Sequence, residues 1–154
     1  MREVKIVNAP PMRLAGVEHV GPYSEIGRAF DQLHALFGAR NLYAPGQKRV
    51  AVYFDNSSST PPEKQRAMAA MSVADGAPVE PPLMRLDLPG GDHAVLRHFG
   101  PYAELQESYD WLFGTWLPQS GREAAHAPCY EIYVNTPMDA APQDLITDIH
   151  LPLR

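Results

Sequence analysis

Polar and apolar residues alternate in several short runs along this chain, and the runs bracket two stretches of helical periodicity. Residues 4–7 and 13–20 read as strands separated by Pro10 and Pro11, which cannot donate to a β-ladder. Gly21-Pro22 then ends the extended segment, and Pro22 presets the φ of a first helical turn. Tyr23, Ile26, Phe30, Leu33 and Phe37 recur at the spacing of one helix face until Gly38, which predicts a helix laid on a sheet. Residues 49–55 read as the next strand, and Asn56-Ser57-Ser58-Ser59-Thr60-Pro61-Pro62 as a turn-rich loop. Residues 67–73 fit either element, because Ala and Met favour helix while the short length favours strand.

Beyond residues 75–82, whose prolines disfavour both regular structures, the order repeats. Residues 84–88 and 93–99 flank Gly90-Gly91 as a predicted hairpin. Leu105, Tyr109, Leu112 and Trp116 then form a second helical stripe ahead of Pro118, and residues 129–135 and 145–151 close the chain as alternating strands. The repetition extends to individual residues. His19-Val20-Gly21-Pro22-Tyr23 opens the first helix, and His98-Phe99-Gly100-Pro101-Tyr102 opens the second 79 positions later (19 to 98). The same offset carries Phe30 onto Tyr109 and Leu33 onto Leu112. A period of about half the chain predicts two fused copies of one module, residues 1–76 and 83–154, rather than a solenoid. Strands, one helix, then strands, without β-α-β crossovers, predict an α+β fold with antiparallel or mixed sheets and two main helices. Two such modules side by side would leave a central seam, where ligand pockets are favoured.

Composition narrows the function classes. A chain of 154 residues can build a core without staples; its single cysteine, Cys129, cannot form an internal disulfide. No apolar stretch approaches a membrane span, and the charged start has no signal-peptide pattern, which predicts a cytoplasmic protein. A net charge of -5 with scattered Lys and Arg lacks the basic stripe that phosphate neutralisation demands, so direct nucleic-acid binding is not expected. Acidity leaves room for cationic partners. His19, His34, His93, His98, His126 and His150 show no metal-ligand spacing, and His19 and His98 are strand-end residues of the repeat. Phosphate loops, dinucleotide fingerprints and a nucleophile elbow are lacking in the sequence, and Cys129 has no neighbouring base, so neither a metal nor a cofactor is expected.

The candidate chemistry centres on Glu131. Along a strand, successive side chains point to opposite faces, so Cys129, Glu131, Tyr133 and Asn135 share one face and Tyr130, Ile132 and Val134 the other. The second set reads as core and the first as the lining of the seam. In the first repeat Tyr53 matches Tyr133, but Ala51 stands where the second repeat has Glu131. One carboxylate among pseudo-symmetric rings is what a cation pocket requires. Against this, a Glu in an apolar strand commonly faces solvent, and Tyr53 and Tyr133 commonly pack on a sheet face for reasons unrelated to ligands. Tyr109 and Trp116 lie on the helix stripe and read as core, whereas Trp111 falls off it, as either a pocket wall or a partly exposed ring.

Two stretches carry a resemblance. Val50-Ala51-Val52-Tyr53-Phe54-Asp55-Asn56 with Thr60-Pro61-Pro62-Glu63-Lys64-Gln65-Arg66, and later Pro128-Cys129-Tyr130-Glu131-Ile132-Tyr133-Val134-Asn135, resemble the signatures of the gyrase-inhibitor-like (GyrI-like) small-molecule-binding family. That family is similar to the effector-binding domains of AraC-type and multidrug-responsive regulators. The resemblance implies a tandem of strand-helix-strand-strand (SHS2) modules in one domain over residues 1–154, around a central ligand cleft. It implies Glu131 as the pocket carboxylate that meets cationic ligands; together with the reading of the residues, in which Tyr133, Tyr53, Trp111 and Tyr109 are the candidate aromatic ligand contacts, it leads to the expectation of a binder of amphipathic aromatic, cationic or electrophilic small molecules. It implies two alternatives as well: a hydrolase opening cyclopropane-containing natural products, with Glu131 acting on water, and an inhibitor that contacts DNA gyrase.

Overall fold

The structure is a computed structural model that describes residues 2–55 and 59–154, so residues 56–58 of the expected turn-rich loop lie outside the described residues. In chain order the elements are β1 (Val4–Ala9), β2 (Met12–Val20), α1 (Gly27–Ala39), β3 (Arg49–Tyr53), β4 (Arg66–Ser72), β5 (Met84–Leu88), β6 (Gly91–Phe99), α2 (Leu105–Trp111), α3 (Leu117–Ser120), β7 (Cys129–Tyr133) and β8 (Ile146–Pro152). The ambiguous run around residue 70 is strand β4. Its residues Ala67 to Met71 are all buried, as in a strand covered on both faces, and small side chains suit that position.

The strands fall where the alternation predicts them, but they pair differently. The expected hairpin across Gly90-Gly91 does not form. Instead β5 runs antiparallel to β2, and β6 runs antiparallel to β1 and β8. One compact unit, Pro10–Gly90, holds the strand order β5-β2-β4-β3; the other, built from the stretch up to Ala9 and Gly91–Arg154, holds β1-β6-β8-β7. Each unit therefore takes its first strand from the far side of the repeat boundary. Pro10 and Pro11, which have no N–H to donate, interrupt the ladder between β1 and β2, and the remote pairings bring matching side chains together. On β5, Leu86 lies opposite the fully buried Leu14, and Asp87 accepts from Arg13 at 3.1 Å; on β1, Val4 lies opposite Leu96.

Within Pro10–Gly90, α1 covers the β2–β4 face through Ala29, Leu33 and Phe37, which meet Ala15, Val17, Ala69 and Met71. Within the other unit, Leu105 and Leu112 meet Ala94, Leu96, Ile149 and Leu151. Here the second helix does not stop before Pro118. A π-helical turn, Leu112–Trp116, joins α2 to α3, and Gly121 ends the run in a left-handed conformation, φ +75°. Five-residue spacing puts Trp111 and Trp116 on the same side, so both pack against the apolar cluster and Trp111 is half-buried rather than off the stripe.

The repeated His-x-Gly-Pro-Tyr segment is a strand-to-helix clasp. His19 Nε2 bonds the Pro22 carbonyl at 2.9 Å and His98 Nε2 bonds that of Pro101 at 3.2 Å. Gly21 and Gly100 between them have φ +138° and +121°, and their N–H groups donate to the Gln65 and Leu145 carbonyls. Only glycine makes this bend without strain.

Candidate functional site

Strand β7 presents Cys129, Glu131 and Tyr133 to the face that the second helix covers. This corrects the expected assignment of faces only in part, since Tyr130 of the expected core set is buried. Cys129 packs into the helix-covered cluster, and Glu131 lies opposite Ile149, which is fully buried; Val134, expected in the core, is 49 % exposed. The core of this unit needs the face that meets α2, and β8, inserted between β6 and β7, aligns Ile149 and Leu151 with Leu96 and Ala94 there.

Glu131 is 2 % exposed. Its Oε2 accepts the Tyr109 hydroxyl at 2.6 Å and its Oε1 accepts the Tyr133 hydroxyl at 2.8 Å. The two donors come from different elements for different reasons. Tyr133 shares the face of Glu131 by strand alternation, and Tyr109 leans down from α2 with its ring against the apolar cluster. Both phenols donate, so each carboxyl oxygen has a hydrogen-bond donor inside the fold. Tyr102 extends the group, its ring edge-on to Tyr133 with centroids 5.5 Å apart. Burial, with a further push from the Glu131 charge, raises the Cys129 thiol to about 11. The site thus sets a carboxyl group among hydrocarbon and ring surfaces, where water screens a charge little.

Of the expected site residues, the structure brings Glu131, Tyr133 and Tyr109 together. Trp111 belongs to the apolar cluster on the same helix as Tyr109. Tyr53 belongs to the other unit, edge-on to Tyr23 with centroids 4.7 Å apart. That pair repeats Tyr102–Tyr133, so both units carry the rings, whereas the carboxylate and its helical donor belong to one: Ala51 and Phe30 stand at the matching places of the other. Tyr102 was missed as a site residue, although its place in the repeated pentapeptide marks it. Also missed was a cluster on the opposite face of the same sheet, where buried His93 and His150 meet Nδ1 to Nδ1 at 3.2 Å and Tyr130 stacks on His150 at 4.6 Å. Among the described residues, no three His, Cys, Asp or Glu side chains gather as metal ligands, and no helix is long and apolar enough to cross a membrane.

A duplicated α+β fold with a phenol-capped carboxylate inside one half is the architecture of a small-molecule-binding domain. The chain belongs to the GyrI-like small molecule binding domain family, whose profile matches residues 2–154. It is similar to a DNA gyrase inhibitor of Yersinia enterocolitica, 33% identical over 136 residues that cover 85% of each chain. Among solved structures it is similar to EcmrR in a complex with DNA, with a TM-score of 0.83 at 16% identity. That match covers 99% of this chain and 57% of the EcmrR chain. It is also similar to SAV2435 bound to tetraphenylphosphonium, with a TM-score of 0.72 at 14% identity, covering 99% of this chain and 94% of that one. At these identities the structural likenesses speak for the fold.

Proposed function

We propose that this chain, acting as one ligand-binding domain, captures amphipathic aromatic cations, for sequestration or sensing. Glu131 meets the positive charge, and Tyr109 and Tyr133 orient its carboxylate while offering ring surface; Trp111, on the same helix as Tyr109, is a further aromatic contact. One observation carries the reading: a carboxylate 2 % exposed, set in an apolar face and held by two phenols. A buried charge is costly to a fold and persists where it has a task. The relative bound to tetraphenylphosphonium makes that cation the natural probe.

The test compares tetraphenylphosphonium with neutral triphenylphosphine oxide by calorimetry. Glu131→Gln preserves shape and removes charge, and a desolvated charge contact of about 1.5–3 kcal/mol predicts roughly ten- to hundredfold weaker cation binding. The neutral compound should change less than about threefold by the same arithmetic. Equal losses for both compounds refute the assignment. Leucine in place of Trp111 should weaken both compounds alike.

A second reading rests on a different surface. Phe99, Ile146 and Val134 lie side by side on β6, β8 and the end of β7, with Phe99 64 % and Val134 49 % exposed, an apolar ladder suited to a protein contact. Together with relatives named DNA gyrase inhibitors, it supports a contact with gyrase. A supercoiling assay decides: Phe99→Ser should abolish inhibition and leave tetraphenylphosphonium affinity intact, and absence of inhibition by the parent protein at large molar excess ends this reading.

A further inference from the structure

Four positions on the helix-covered face differ in kind between the two units. Where Pro10–Gly90 has Ala51, Phe30, Ala29 and Ala67, the other unit has Glu131, Tyr109, Ser108 and Thr147. The match of Ala67 to Thr147 is fixed twice by register: Ala67 lies between Tyr53 and His19, and Thr147 lies between Tyr133 and His98. Three of the four polar groups are hydrogen-bonded. Glu131 receives Tyr109 and Tyr133, Tyr109 donates to Glu131, and Ser108 Oγ meets His98 Nδ1 at 2.8 Å. The fourth is not. Thr147 is fully buried, and its Oγ1 has no hydrogen-bond partner among the described residues.

A buried hydroxyl without a partner is a net cost to the fold, and alanine fills the same place in the sister unit without that cost. Thr147 is directly across the ladder from Tyr133, whose hydroxyl holds Glu131, and so stands one diagonal step from the carboxylate on the same face. A hydroxyl can donate and accept at once. From this geometry we propose that Thr147 is a ligand-contacting, specificity-determining residue: the site takes an aromatic cation that also carries a hydrogen-bonding group, a hydroxyl, amine or carbonyl, about one ring's length from its positive centre. The charge is met at Glu131, and the polar group satisfies the Thr147 hydroxyl. This deepens the reading of Glu131 as the cation site and rests on it.

The test has a stability arm and a binding arm. Thr147→Val keeps the shape and removes the hydroxyl, so the unliganded protein should melt about 2–4 °C higher. A lower melting temperature overturns the proposal, because it means that the hydroxyl is already satisfied. In calorimetry, the parent protein should bind (4-hydroxyphenyl)triphenylphosphonium about tenfold more tightly than tetraphenylphosphonium, one hydrogen bond's worth. Thr147→Val should erase that preference without weakening tetraphenylphosphonium, and Thr147→Ser should restore it. No preference in the parent, or one that survives in Thr147→Val, overturns the proposal while leaving the cation site standing. Failure of the parent to bind either phosphonium removes the cation site and this proposal with it.

Discussion

The Tyr109–Glu131 contact can be tested without any ligand. Tyr109→Phe removes one hydroxyl and little else, and Phe30 occupies the matching place in the other unit, so the ring is accommodated by this fold. The lost bond is 2.6 Å long and ends on a carboxylate that is 2 % exposed. Hydrogen bonds to charged groups contribute about 1.5–3 kcal/mol, neutral ones about 0.5–1.5. Tyr109→Phe should therefore destabilise the protein by about 2 kcal/mol in the parent background. In a Glu131→Gln background the same change removes only a neutral bond and should cost about 1 kcal/mol less, which is the coupling a double-mutant cycle reads. Guanidinium unfolding followed by far-UV circular dichroism, with m-values compared across the four proteins, gives the numbers. Equal costs of Tyr109→Phe in both backgrounds, or a cost below about 0.5 kcal/mol in the parent, would refute a charged, phenol-held carboxylate.

Glycine substitutions separate strain from freedom. Gly100→Ala forces a Cβ onto φ +121° and to 3.1 Å from Glu104 Oε2, so it should lower stability by about 1–2 kcal/mol, whereas Gly38→Ala, in α1 with open space around it, should raise it by about 0.5–1 kcal/mol; denaturation midpoints check both. The Cys129 thiol, raised to about 11 chiefly by burial, should resist alkylation at pH 8 in the native protein and react on unfolding. Because the unfolded thiol ionises nearer its ordinary value, this group's contribution to stability is whole below about pH 8.5 and declines as pH rises toward the native value. Burial acts on His93 in the opposite sense, holding its imidazole below the ordinary range against a weaker pull from Asp92. The folded protein then binds that proton less readily than the unfolded chain, so stability is full above the ordinary histidine range and falls as the solution is acidified through it. A urea midpoint that stays flat between pH 7.5 and 5 contradicts this.

Local chemistry made much of the molecule legible in one dimension. The repeated pentapeptide declared the duplication, glycine and proline marked the two bends, and the stripes through Leu33 with Phe37 and through Leu105 with Leu112 named the helix faces that became core. Alternation placed Glu131 beside Tyr133, and the exchange of Ala51 for Glu131 and Phe30 for Tyr109 between repeats was visible as letters. These features depend on neighbours within a few residues or on direct comparison of the halves.

Only the tertiary structure decided which strands pair, which face of β7 is covered and which polar groups find partners. Strand alternation assigns residues to two faces but cannot say which one a helix will cover; the insertion of β8 between β6 and β7 settled that by aligning Ile149 and Leu151 with Leu96 and Ala94. The crossing of β1 and β5 to the opposite units was equally invisible, because the burial of Leu14 under Leu86 and the meeting of Arg13 with Asp87 join residues more than seventy positions apart. For the same reason Thr147 reads as an ordinary strand threonine until three-dimensional packing buries its hydroxyl with no partner among the described residues.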